Sequence, residues 1–114
     1  MSEYVRVART HEIAPGTMKR VEVAGRGVVV VNLGGEFFAI DDTCTHEEAS
    51  LSRGTLTGEV VVCPKHGARF NVKTGRVLAL PAVRSAAIYP VRVEGDEVLV
   101  SPEAQRTAGV PHRR

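Results

Sequence analysis

The chain has 114 residues, room for one domain with a modest core. Aromatic residues make up 4% and Trp is absent, so aliphatic side chains, Val above all, must build that core, and Val favours strands. The net charge of +2 sits in the tail: from Pro102 onward Arg106, Arg113 and Arg114 face Glu103 alone, and the rest balances 12 basic against 12 acidic residues, which leaves no support for a basic, aromatic-lined nucleic-acid face.

Residues 4–8 alternate in polarity and read as a strand. Residues 10–16 (THEIAPG) read as a short helical turn or irregular connection stopped by Pro15-Gly16. Residues 20–24 alternate again. Residues 28–33 form a continuous apolar run that fits a buried strand. Gly34-Gly35 is a two-residue hairpin signal, and residues 36–41 (EFFAID) return as its partner. Residues 59–62 and 68–72 read as strands, and Thr74-Gly75 marks a tight turn. Residues 78–82 (LALPA) contain Pro81 and read as a loop. Residues 88–93, the turn at 94–96 and residues 97–101 read as a closing hairpin. The segment 102–114 is polar and punctuated by Pro and Gly, and is expected to be a disordered tail. No amphipathic helix, repeat or linker stands out, so the expected fold class is all-β, one domain over residues 1–101.

No apolar run is long enough to span a membrane, and the first ten residues lack a signal pattern. A cytoplasmic location is expected. There, two cysteines serve as metal ligands or reactive thiols more often than as a disulfide.

Both cysteines and two of the four histidines fall in one stretch, CTHEEASLSRGTLTGEVVVCPKHG, with the spacing C-x-H-x16-C-x2-H. Each half begins where a predicted strand ends. Two hairpin-like loops would bring Cys44, His46, Cys63 and His66 together, a thiolate and imidazole set that suits iron, zinc or copper and not magnesium or calcium. A structural zinc site is one reading, although zinc modules usually pair Cys with Cys and His with His. Buried cysteines beside surface histidines are a second, and a Cys-His nucleophile pair is a third, which leaves the other pair idle. A two-iron, two-sulfur centre with two Cys on one iron and two His on the other is the fourth.

The stretch CTHEEASLSRGTLTGEVVVCPKHGARFNVKTGRVLALPA resembles the cluster-binding region of Rieske proteins. It is most similar to the soluble Rieske ferredoxins of bacterial aromatic-ring dioxygenase systems. The resemblance covers about residues 4 to 101. It rests on Cys44-Thr45-His46, Cys63-Pro64-Lys65-His66-Gly67, the Leu51-Ser52-x-Gly54 turn, Thr74-Gly75 and Pro81. It implies the Rieske fold: antiparallel β-sandwich or barrel-like sheets with an inserted cluster-binding subdomain of two ligand loops, about residues 42–82. It implies one [2Fe-2S] cluster per chain, with Cys44 and Cys63 on the inner iron and His46 and His66 on the outer. Gly67 would let the second loop fold closely around the sulfides, Pro64 would stiffen it, and the Pro81 segment would cover the cluster.

Rieske proteins of cytochrome complexes carry an extra Cys in each loop and place Ser and Tyr hydroxyls near the cluster. This chain has Lys65 at the second-loop Cys position and Ala68 and Phe70 at the hydroxyl positions. With fewer donors to the reduced cluster, a potential toward the low end of the Rieske range, on the order of −150 mV, is expected.

The implied function is that of a one-electron carrier, not an enzyme by itself. The carrier would take electrons from a flavin-containing, NAD(P)H-dependent reductase and pass them to a terminal ring-hydroxylating oxygenase. Docking would be transient, at the His46 and His66 end, with the carrier a monomer. Leu51, Leu80 and Pro81 would form an apolar rim, and Glu47, Glu48, Lys65 and Arg69 would steer partners. The chain cannot supply an oxygenase's second iron site, because only His11 and His112 remain, and it has no dinucleotide fingerprint. Two alternatives stay open: the small subunit of an NAD(P)H nitrite reductase, and a zinc-stabilised interaction module.

Overall fold

Val28, Val29, Val30 and Val31 are consecutive in the sequence, and all four are fully buried. Successive strand residues point to opposite faces, so both faces of this strand must be covered. The computed structural model describes residues 3–43, 49–65, 67–79 and 84–106, and it shows how. Val29 and Val31 enter one hydrophobic core; Val28 and Val30 enter another.

The strands are β1 (Val5–Arg9), β2 (Met18–Val23), β3 (Arg26–Leu33), β4 (Glu36–Asp41), β5 (Thr55–Thr57), β6 (Val60–Val62), β7 (Arg69–Asn71), β8 (Val77–Ala79), β9 (Ala87–Tyr89), β10 (Val91–Glu94), β11 (Glu97–Val100) and β12 (Gln105–Arg106). They form three antiparallel sheets, ordered β12-β9-β4-β3-β2, β1-β11-β10 and β5-β6-β7-β8. The first sheet is central. One face packs Val28, Val30, Ala39 and Tyr89 against Val98 and Val100 of β11. The other packs Val29, Val31 and Ile40 against Val61, Phe70 and Val77 of the β5–β8 sheet. The all-β, antiparallel expectation holds, and among the described residues no helix is long and apolar enough to cross a membrane.

The Gly34-Gly35 hairpin forms as expected, with φ of 64° and 104°, the primed turn that matches strand twist. Residues 10–12 form a single 3-10 turn.

Three expectations change. Residues 88–93 are not one strand: Pro90, which has no N–H to donate, separates β9 in the central sheet from β10 in the outer one. Residues 77–79 form a strand, β8, which takes in the first two residues of the loop expected at 78–82; its partner is β7, and Pro81 lies beyond it, outside the described residues. Within the segment expected to be a disordered tail, Gln105 and Arg106 pair with Ile88 and Ala87. Strand β5 (TLT) had no counterpart in the sequence reading, because three residues carry too short a pattern.

Candidate metal centre

The two predicted ligand loops are each pinched at the base by backbone pairing. After β4 the chain leaves at Thr43 and returns at Ser50, where the two residues form an antiparallel bridge. Leu51 N–H donates to the Asp42 carbonyl at 2.6 Å, and a 3-10 turn, Leu51–Arg53, follows. The second loop leaves β6 at Cys63 and enters β7 through Ala68. Cys63 N–H donates to the Ala68 carbonyl at 2.7 Å, and Val62 faces Arg69 in register. Gly67 lies on this loop with φ of +72°, a left-handed conformation that costs a side-chain-bearing residue energy. Among the described residues, apart from its chain neighbours, none comes within 4 Å of where its Cβ would be, and it is the left-handed conformation that calls for glycine.

The loop bases lie side by side. Leu51, Cys63, Ala68 and Phe70 share one buried core. Gly54 closes the approach: a methyl group there would overlap the Val62 carbonyl oxygen and lie 3.2 Å from Pro64 Cδ. A third segment converges on the same lobe. The turn after β7 is held by Asn71, whose side-chain oxygen accepts from Lys73 N–H at 2.8 Å and Thr74 N–H at 3.2 Å. Gly75, with φ of +76°, fits against Ala86 and accepts its N–H at 2.8 Å, and Val77 N–H donates to Ser85 Oγ at 3.3 Å.

Of the four predicted ligands, Cys63 is placed: it sits at the head of the second loop, 1% exposed, within the apolar core. Cys44, His46 and His66 lie outside the described residues, as do Glu47, Glu48, Leu80 and Pro81. Leu51 does not contribute to an exposed rim, because it is fully buried beneath the loops. Lys65 and Arg69 are exposed as expected. Ala68 and Phe70 are fully buried next to Cys63. The outward face of the β5–β8 sheet carries a groove of about 300 Å3 lined by Thr57, Val60, Val62, Arg69 and Leu78, with Leu78 half exposed.

The sequence reading missed Asp42, whose side chain is 5% exposed at the mouth of the first loop. Its carboxylate accepts from Ser52 N–H at 2.8 Å and from Arg20 Nε at 3.0 Å. Burial alone would raise its pKa. Hydrogen bonds from Ser52, Ser50 and Arg20 outweigh that and hold it below the ordinary carboxylate value. An acid at a strand end, two residues before a predicted ligand, was the available signal.

Known proteins match this arrangement. Residues 3–90 match the Rieske [2Fe-2S] domain model. The chain belongs to the Rieske [2Fe-2S] family. The ferredoxin component of biphenyl 2,3-dioxygenase from Rhodococcus jostii (strain RHA1) is 44% identical over 98 residues, spanning 86% of this chain and 92% of the relative. The ferredoxin of carbazole 1,9a-dioxygenase from Nocardioides aromaticivorans IC177 superposes with a TM-score of 0.85 at 40% identity, covering 88% of this chain and 98% of that one. A chain from a complex of reduced oxygenase and oxidised ferredoxin in carbazole 1,9a-dioxygenase superposes with a TM-score of 0.86 at 39% identity, covering 91% and 97%.

The described residues of this Rieske protein suit a [2Fe-2S] cluster. The buried Cys63 offers a soft thiolate shielded from water, at the base of a loop that its own backbone closes. The neighbouring loop base is fixed against it at Gly54. The two loops carry between them two Cys and two His, the mixed donor set of a Rieske centre.

Proposed function

We propose that this Rieske protein is a one-electron carrier of the ferredoxin type, serving a multicomponent aromatic-ring dioxygenase system. A flavin-containing, NAD(P)H-dependent reductase is its donor and a terminal oxygenase its acceptor. The observation that carries this reading is the match to ferredoxin components over most of both chains, 86% of this chain against 92% of the biphenyl relative. Oxygenase chains would need a second iron site, which this sequence has too few remaining histidines to build.

The functional domain runs past residue 101 to include β12 at residues 105–106, with the cluster-binding part at about 42–82. Cys44 and Cys63 would hold one iron of the cluster, and His46 and His66 the other. When bound, the cluster supplies a one-electron couple. The chain does the rest. Leu51, Ala68 and Phe70 keep water from the Cys63 side of the site. By the family resemblance, His46 and His66 are the port at which partners dock. Lys65 and Arg69, both exposed, steer the encounter, and half-exposed Leu78 supplies apolar contact in place of Leu51. The protein works as a cytoplasmic monomer and meets each partner through a small, short-lived interface.

Absorption and low-temperature EPR spectra before and after dithionite test this reading. A red-brown protein that partly bleaches and gives a rhombic signal, with average g well below the free-electron value, is expected. Cys63→Ser should abolish that signal, as should His46→Ala. A colourless, EPR-silent protein that contains zinc would replace the carrier with a structural module. Co-purification with a permanent large subunit would instead favour the nitrite reductase alternative.

A further inference from the structure

We infer that Asp42 and Arg20 are positioning residues for the first ligand loop, acting through the backbone rather than by touching the cluster. Hydrogen bonds from three elements converge on Asp42 at the point where β4 ends. Its N–H donates to the Gly27 carbonyl of β3 at 3.0 Å, and its carbonyl accepts from Leu51 N–H at 2.6 Å. One carboxylate oxygen accepts from Ser52 N–H at 2.8 Å, and the other from Arg20 Nε at 3.0 Å. The residue thus ties the outgoing strand, the returning arm of the loop and edge strand β2 together. Cys44 follows two residues later.

The geometry is specific to this pair. Arg20 lies on β2 and must cross β3 to reach Asp42. It crosses at Gly27, where a Cβ would come within 2.5 Å of its Nη2. The missing side chain at Gly27 opens the path. Arg20 is 46% exposed while Asp42 is nearly buried, so the guanidinium stays hydrated and the carboxylate gains a partner where a lone charge would be costly. Thr43 and Ser50 form the bridge just above, so a shift of Asp42 moves both arms of the loop. Groups that orient metal ligands in this indirect way set retention and electronic structure more than they set fold stability.

The inference rests on the reading that Cys44 and His46 ligate the cluster. The test uses holoprotein and four variants: Asp42→Ala, Arg20→Gln, Arg20→Lys and, as a control in the opposite core, Val98→Ala. Cluster release to a chelator is followed by visible absorbance, alongside visible circular dichroism and EPR g values. Asp42→Ala and Arg20→Gln should release the cluster about tenfold faster and shift the g values. Arg20→Lys, which keeps the charge, should recover part of both effects. Val98→Ala should lower the melting temperature with unchanged g values and release. Should Asp42→Ala fail to fold, half-exposed Arg20→Gln carries the comparison. Wild-type spectra and release in Arg20→Gln would overturn the inference, as would equal acceleration in Val98→Ala. A wild-type protein without the mixed-ligand signal would instead overturn the functional reading itself.

Discussion

The two faces of the central sheet are covered in different ways. On one face, β1, β10 and β11 are four or five residues long; β10 pairs with β11 in an unbroken register, β1 pairs with β11 across a register shift between Arg6 and Ala8, and Val98 and Val100 of β11 pack with Val21 and Val23 of β2. On the other face, β5, β6, β7 and β8 have three residues each. Strands that short lie at the low end of the usual range and contribute few ladder bonds each. Their lobe depends on point contacts: the Gly54 approach, the Asn71 turn, the Asp42 clamp and the plug of Phe70 and Leu51. The first face is a scaffold of longer strands around a valine-rich core. The second is a holder whose order is shared with what it holds, because ligand binding at a site absent from the unfolded chain is folding free energy.

The largest test of this difference is removal of the metal. Chelation under reducing conditions should abolish hydrogen-exchange protection in β6 and β7 and leave β3 and β4 protected. Uniform loss across all three sheets would show that the two faces fold as one unit. Next in size is a pair of core truncations. Phe70→Ala should cost about 3–5 kcal/mol and release the cluster. Val98→Ala should cost about 2 kcal/mol, seen as a lower melting temperature, with the cluster spectrum intact until global unfolding. Cluster loss with both variants at the same temperature would erase the distinction.

The same contrast explains what was legible in the sequence. The hairpin at Gly34-Gly35 and the strands around it follow from local rules, and they were read within a residue or two of their bounds. The valine run announced burial but not that it feeds two cores, since alternation in an all-apolar stretch leaves no mark. Pro90 was passed over because the residues on both sides are apolar, although a missing N–H is reason enough for a strand to change sheets. In the lobe, β5 and β8 are defined by their partners and not by their own pattern. Leu51 was expected in an exposed apolar rim, whereas it is fully buried in the core with Cys63 and Phe70, a burial that two flanking serines do not announce. Cys63 needed only its spacing from His66 and the end of a valine strand. Asp42 needed Arg20 and Gly27, which are 22 and 15 positions away and brought near only by β2–β3–β4 pairing.

Smaller effects test chemistry within the holder. Ala68 and Phe70 are buried beside Cys63, where hydroxyl donors would favour the more negative reduced state. Ala68→Ser and Phe70→Tyr should therefore each raise the midpoint potential in a redox titration, from a wild-type value on the order of −150 mV. The equivalent change on the scaffold face, Ala87→Ser, should leave the potential where it was. If neither lobe substitution moves it upward, the buried wall around Cys63 excludes water without tuning the centre.

The smallest effect belongs to the scaffold. Tyr89 is buried in the core away from the lobe; its hydroxyl donates to Asp41 Oδ1 at 3.3 Å and accepts from Arg26 Nη1 at 3.4 Å. Burial pushes its pKa up, Arg26 opposes this, and Asp41 adds to it. The folded state therefore holds the phenol proton more tightly than the unfolded chain. That contribution to stability is complete below the unfolded value of about 10, and it is lost as pH rises through the folded value. Wild-type protein should thus lose denaturant stability above about pH 10 more steeply than Tyr89→Phe, measured by far-ultraviolet circular dichroism. The two should differ little in slope below about pH 9, where the phenol is protonated in both states. Parallel alkaline limbs would mean that Asp41 and Arg26 hold the hydroxyl without favouring either protonation state, and the scaffold face would owe its stability to valine packing alone.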